Sequence, residues 1–265
     1  MKVIIPSKGR SQTISTHKLF TEYLVVVHNQ EEFDAYLKNS SIDPDKLVNA
    51  NCPFGVANIR NWILEHLVED GEWFVMADDN HEFHIAVNEE NYMNPICRDR
   101  RAFETKIEEV DFWKIANDTI KEAEKVGANL CGFAIVDNYF FREKKFRHVG
   151  FCVGKITLIK KTSLRFDAVM KAMDDYEFTA ANLKRFGKVV INNYLFPIAK
   201  HNAPGGIGTY RERLNNKLRE CRYLMDKYPK MFRYKTKAGC HPLAEIQMRF
   251  TSIKQVDKWR KTIGN

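Results

Sequence analysis

Short apolar runs alternate with helix-spaced apolar positions along the first 80 residues. Lys2–Pro6 reads as a β-branched strand that ends in the polar loop Ser7-Lys8-Gly9-Arg10. Tyr23–His28 is a second strand, followed by a helical stretch over Gln30–Leu37. Val56–Glu69 places Ile59, Ile63, Leu64 and Leu67 at helical spacing, and Asp70-Gly71 ends it. Trp73–Ala77 is continuously apolar, as a strand buried on both faces should be. This β-α-β-α-β order predicts an α/β sheet with right-handed crossovers, whose ligands bind at the carboxyl ends of the strands. Two polar clusters fall at such ends: Ser7–Arg10 and Asp78-Asp79-Asn80.

Further along, residues 88–110 read as an irregular excursion, and Asp111–Val126 as a helix stopped by Gly127. Strands are expected over Leu130–Val136, Val149–Lys160 and Val189–Phe196, with a helix over Asp174–Phe186 before Gly187. His81-Glu82-Phe83-His84 lacks the i,i+4 histidines of a helical zinc motif and reads as loop, from which His81 could touch a metal. Tyr210–Tyr228 is a helix with Leu214, Leu218, Cys221, Leu224, Met225 and Tyr228 on one face. Its other face carries Arg211, Arg213, Arg219 and Arg222.

Charge sharpens that division. The chain has 265 residues and a formal net charge of +8, yet residues 201–265 hold 15 Lys and Arg against 5 Asp and Glu. The first 200 residues carry slightly more acid than base. A balanced body with a basic end suggests a surface for a polyanion, although a solvated basic helix is the plainer alternative. No run approaches the ~18 apolar residues of a membrane span, and Pro6, Lys8 and Arg10 interrupt any leader-like stretch. Six scattered cysteines without a C-x-x-C pair read as reduced thiols, so a soluble cytoplasmic protein is expected.

Asp78-Asp79-Asn80 leaves its strand with three oxygen-bearing side chains. Hard divalent ions take such ligands, often with waters and substrate phosphates, while the same residues also suit an ordinary turn. The surrounding residues point further. Gly55 to Asn61 (with Arg60-Asn61), a helix, and Gly71-Glu72-Trp73 leading into Asp78-Asp79-Asn80 resemble the central segment of GT-A glycosyltransferases. Ile5-Pro6-Ser7-Lys8-Gly9-Arg10 resembles that family's nucleotide-binding start. Asp174-Asp175 at a helix head is similar to its acceptor-side acidic motif, and Lys200-His201-Asn202 to its C-terminal metal-site histidine.

The resemblance implies a GT-A (Rossmann-like) nucleotide-sugar-binding sheet over residues 1–204, with a basic, mainly helical extension over 205–265. It implies Mn²⁺ or Mg²⁺ at Asp78, Asp79, Asn80 and His201, although Asn80 stands where the family's motif has a second acid. Pro6, Ser7, Lys8, Arg10, Arg60 and Asp78 would meet a nucleotide sugar, a UDP-sugar being the first candidate. Asp175, with Asp174 as understudy, would be the base in an inverting transfer, since adjacent carboxylates raise one another's pKa.

The compact size and basic end also resemble the phage DNA-modifying group related to TET- and base-J-associated glycosyltransferases. That likeness implies transfer to a hydroxymethylated pyrimidine in DNA, in the host cytoplasm if phage-encoded, with Arg211, Arg213, Arg219 and Arg222 on the acceptor. Tyr223, Tyr228, Phe232, Tyr234, Phe250 and Trp259 could stack on an unpaired base or anchor the last helices. Two other readings remain: a polysaccharide, lipid-linked or protein acceptor, or a non-catalytic nucleic-acid-binding protein on a transferase scaffold. The oligomeric state is not legible.

Overall fold

The computed structural model describes residues 1–87, 104–135, 144–199, 210–235 and 241–264. The three strands and two helices expected in the first 80 residues are present, and an unpredicted strand over Leu47–Asn49 joins them. Strands β1 (Val3–Pro6), β2 (Tyr23–Val27), β3 (Leu47–Asn49) and β4 (Trp73–Ala77) are parallel, in the order β3-β2-β1-β4. Helix α1 (Gln30–Asn39) starts at Asn29, whose side chain accepts from the Glu32 amide at 3.0 Å. Helix α2 (Val56–His66) starts at Gly55, whose φ of 139° is open to glycine and strained for other residues.

The sheet continues with β9 (Ile156–Lys160), β7 (Leu130–Phe133), β10 (Val190–Asn192) and β8 (Phe146–Arg147), giving eight strands. Strand β9 lies antiparallel between β4 and β7. Helices α3 (Glu109–Val126) and α4 (Asp174–Phe186) end at Gly127 and Gly187, both left-handed. Alternation along β1 splits the core. Ile4 joins Ile59, Ile63 and Phe74 on one face; Val3 and Ile5 join Phe112 and Ala116 on the other.

Four expectations change, the first being that the stretch 88–110, read as irregular, holds a strand over Glu104–Ile107. His81–His84 is not loop but part of strand β5 (His81–Val87), paired with β6 (Glu104–Ile107) and β11 (Leu195–Ala199). Its partners come from far along the chain, so the run itself holds no sign of them. Val189–Phe196 is two strands, broken where Asn192 Oδ1 accepts from the Tyr194 amide at 2.9 Å. The expected strand from Val149 is confined to Ile156–Lys160, after a turn at Gly154-Lys155.

Beyond residue 209 come α5 (Tyr210–Lys227), β12 (Phe232–Tyr234), β13 (Ile246–Met248) and α6 (Ile253–Ile263), and α6 packs against α4. Cys221, Leu224, Tyr228, Phe232, Val256 and Trp259 share one apolar cluster with Ile4 and Ile59. The expected boundary at 204/205 lies outside the described residues. Tyr228, Phe232 and Trp259 are buried, so the anchoring role holds for these three rings. Among the described residues no helix is long and apolar enough to cross a membrane.

Candidate active site

Because β1 and β4 are parallel neighbours, the loops leaving their carboxyl ends meet. Ser7 Oγ donates to Asp79 Oδ2 at 2.5 Å, and Arg10 Nη1 reaches Asp79 Oδ1 at 2.7 Å. Tyr36 Oη on α1 sits 2.6 Å from Ser7 Oγ and accepts from the Arg10 amide at 3.1 Å. With its single proton committed to Asp79, Ser7 must accept from Tyr36. Burial pushes the Asp79 carboxyl upward, while Arg10 and Ser7 pull it back.

The turn after β4 is pinned by backbone. The Asp78 amide donates to Lys155 O at 2.8 Å, and the Asp79 carbonyl accepts from Ser15 at 3.0 Å. Thr16 Oγ1 donates to Asp78 O at 2.6 Å and accepts from the His81 amide at 2.8 Å. His81 Nδ1 lies 3.1 Å from Asp78 O, a contact that requires a proton on Nδ1. Burial lowers the His81 pKa to about 3, so the ring is neutral.

Arg60, on α2 and only 5% exposed, joins the two acidic clusters. Its Nη2 donates to Asp78 Oδ1 at 2.9 Å and its Nη1 to Asp174 Oδ2 at 2.6 Å. Burial opposes the guanidinium charge, but Asp174 and Asp78 outweigh it and raise the pKa. Asn61 beside it exchanges two 2.8 Å hydrogen bonds with the Phe166 backbone, tying α2 to the segment ahead of α4.

Asp175 accepts from the Gly154 amide and from its own helix at Tyr176, each at 2.8 Å. Burial first, then Asp174, raises its pKa to about 6, despite the two amides and Arg60. Asp78 is pushed to about 7, by burial and then by Asp79, Asp175 and Asp174, with Arg60 opposing. Since 42% of the Asp78 side chain is open, water in the cleft moderates that rise.

The predicted donor and base residues therefore converge. Pro6 ends β1, Ser7 and Arg10 hold Asp79, Arg60 holds Asp78 and Asp174, and Asp175 stands beside them. Lys8 is exposed, its Nζ 4.3 Å from the Phe54 ring centroid. Asn80 is half-buried in the same turn, and His201 lies outside the described residues. On α5, Arg211, Arg219 and Arg222 are exposed and Arg213 is half-buried.

Among the described residues no group of three His, Cys, Asp or Glu is arranged to hold a metal. Asp79 is buried with both oxygens engaged, whereas Asp78 keeps an open carboxylate edge of the kind a hard divalent ion takes.

Sequence reasoning did not single out Tyr36, Phe54, His28 or Gly154. Phe54 is 57% exposed, with its ring 5.2 Å from that of His28. A bulky apolar residue in the Cys-Pro-Phe-Gly loop ahead of α2 was the one available signal. Gly154 gave none: a Cβ there would lie 3.0 Å from Arg60 Nη2 and 3.5 Å from Asp175 Oδ2.

The TET-associated glycosyltransferase family model matches residues 1–206, and the chain belongs to that family. The expectation of a glycosyltransferase thus holds at the level of family. No curated protein matches. Similar solved structures include S. aureus TarS 1–349, at 11% identity and TM-score 0.40. The same TarS fragment in complex with UDP gives 12% and 0.41. Both matches cover 85% of this chain, and the chain spans 65% of the TarS fragment. A197 from STIV matches at 12% identity and TM-score 0.36, over 76% of this chain and 85% of that one.

Proposed function

We propose that this chain transfers a sugar from a nucleotide sugar, a UDP-sugar first, to a hydroxymethylated pyrimidine in DNA. The Arg60 bridge from Asp78 to Asp174 carries the reading, because it fixes a donor-side acid and the acceptor-side pair in one cleft. The nucleotide would lie over the carboxyl ends of β1, β2 and β4, with the exposed Phe54 ring as its stacking face.

Asp175 takes the proton from the acceptor hydroxyl. The hydroxyl oxygen then bonds to the anomeric carbon as the bond from that carbon to the diphosphate oxygen breaks. Attack opposite the leaving group inverts the carbon. A carboxyl with a pKa of about 6 is mostly ionised at neutral pH, yet more basic than a free aspartate. Two fixed amide bonds aim it, so little reorganisation is left for the reaction itself. Mn²⁺ or Mg²⁺ at Asp78, completed by the donor's phosphates and water, would neutralise charge on the departing diphosphate.

The basic face of α5 suits phosphates, and a base must leave the duplex for its hydroxyl to reach Asp175. Incubation with nucleotide sugars, Mn²⁺ and hydroxymethylated DNA, followed by mass spectrometry of the nucleosides, tests this. A glycosylated pyrimidine is expected. Transfer to a polysaccharide, lipid-linked or protein acceptor with unmodified DNA would redirect the acceptor assignment. Failure of every nucleotide sugar to raise the melting temperature would favour a non-catalytic binder.

A further inference from the structure

Glu220 lies on α5, within the basic C-terminal segment, yet it is 0% exposed. Its carboxylate accepts three consecutive backbone amides: Lys171 at 2.8 Å, Ala172 at 3.0 Å and Met173 at 2.9 Å. These amides immediately precede Asp174, the first residue of α4. Met173, the residue before α4, provides no side-chain cap. Glu220 therefore anchors the turn entering α4 from 47 to 49 residues away, holding the N-cap amide of Met173 and the two before it, with its negative charge at the helix end where it is favourable.

The same helix grips the segment on both sides of those amides. Tyr223 Oη and Lys227 Nζ each reach Asp167 Oδ2 at 2.6 Å. Lys227 and Tyr228 hold Glu177 Oε1, at 2.8 and 2.6 Å. Residues 167–177 are thus strung along α5, with Asp174 and Asp175 between the attachment points. An apolar side chain would fill the Glu220 position with no charge to bury. The carboxylate there is compensated by the three amides that lead into the acidic pair and by Arg219, whose Nη2 lies 3.5 Å from Glu220 Oε1.

We propose that Glu220 is a positioning residue for sugar transfer: through the 171–173 backbone it sets where Asp175 meets the acceptor. This rests on Asp175 being the base. In Glu220→Gln one carboxylate oxygen becomes an NH₂ that opposes a backbone N–H, which shifts the turn while keeping its volume. The variant is expected to melt cooperatively, to keep its donor KM within about twofold, and to lose about tenfold to a hundredfold in transfer kcat. A folded Glu220→Gln with wild-type kcat overturns the proposal, as does one losing donor affinity and rate in parallel.

Should the variant not fold, amide exchange in the wild-type chain decides the matter. Lys171, Ala172 and Met173 are expected to be as protected as the interior of α4, and exchange at free-peptide rates would remove the clamp. Asp175→Asn separates the two ideas. If it transfers at the wild-type rate, the base assignment has failed. If it is inactive while Glu220→Gln is fully active, only the positioning role has failed.

Discussion

Arg10 and Asp79 pair at 2.7 Å across the loops that leave β1 and β4, and each side chain is only 11% exposed. The pair uses both carboxylate oxygens of Asp79 once Ser7 is counted, so this acid organises the cleft floor rather than facing its contents. Asp78, one residue earlier, keeps an open edge.

Removing one partner of this pair should be costly. Asp79→Ala leaves the Arg10 guanidinium with little solvent and is expected to destabilise the fold by about 3 kcal/mol in urea unfolding. Arg10→Ala should cost a similar amount. The double variant should fall well short of the sum, because the second change removes an already orphaned charge.

Gly154→Ala should separate activity from stability. The added methyl presses on the Arg60 guanidinium and comes within van der Waals contact of Asp175. Transfer kcat is expected to fall by about tenfold or more with the melting temperature little changed. A wild-type rate would mean that Arg60 yields without disturbing Asp175.

The acid limb of the pH profile should report Asp175 together with Asp78, whose carboxyl is also pushed up. With a folded-state pKa near 6, the ionised form of Asp175 is lost as pH falls through that value, and kcat should drop by about tenfold per unit below it. The stability sign is opposite to that of a salt-bridged acid. The folded state holds this proton more tightly than the unfolded chain, so the group's contribution rises as pH falls from about 7 towards 4. Chemical unfolding of wild type and Asp175→Asn across that range measures it, since the variant has no carboxyl to titrate there.

Neutralising Arg211, Arg213, Arg219 and Arg222 should weaken DNA binding and flatten its salt dependence, by about 0.9 in the log–log slope for each phosphate no longer neutralised. Hydrolysis of the donor without acceptor should be unaffected. An equal fall in donor use would place α5 over the donor, not the acceptor.

Much of the first 80 residues is readable from the order of residues alone. Apolar runs separated by helix-spaced positions identify β1, α1, α2 and β4, and the loops after β1 and β4 carry the polar residues that meet. His81–Val87 is not readable as a strand, because its pairing partners lie near residues 104–107 and 195–199. The acidic pair at 174 and 175 is visible as a motif, whereas its tie to Arg60 spans 114 positions.

Local spacing thus settles which segments become strands and helices, since backbone geometry repeats every two or 3.6 residues and burial selects for that repeat. It also settles that residues 201–265 are basic, because charge is a property of composition. Where those charges go is a matter of packing. The face of α5 bearing Cys221 and Leu224 enters the core and carries Glu220 inward to the amides before α4, while Arg211, Arg219 and Arg222 stay in water. Only chain folding could bring residue 220 beside residue 173, because a carboxylate and three amides have no reason to meet until the core has closed around them.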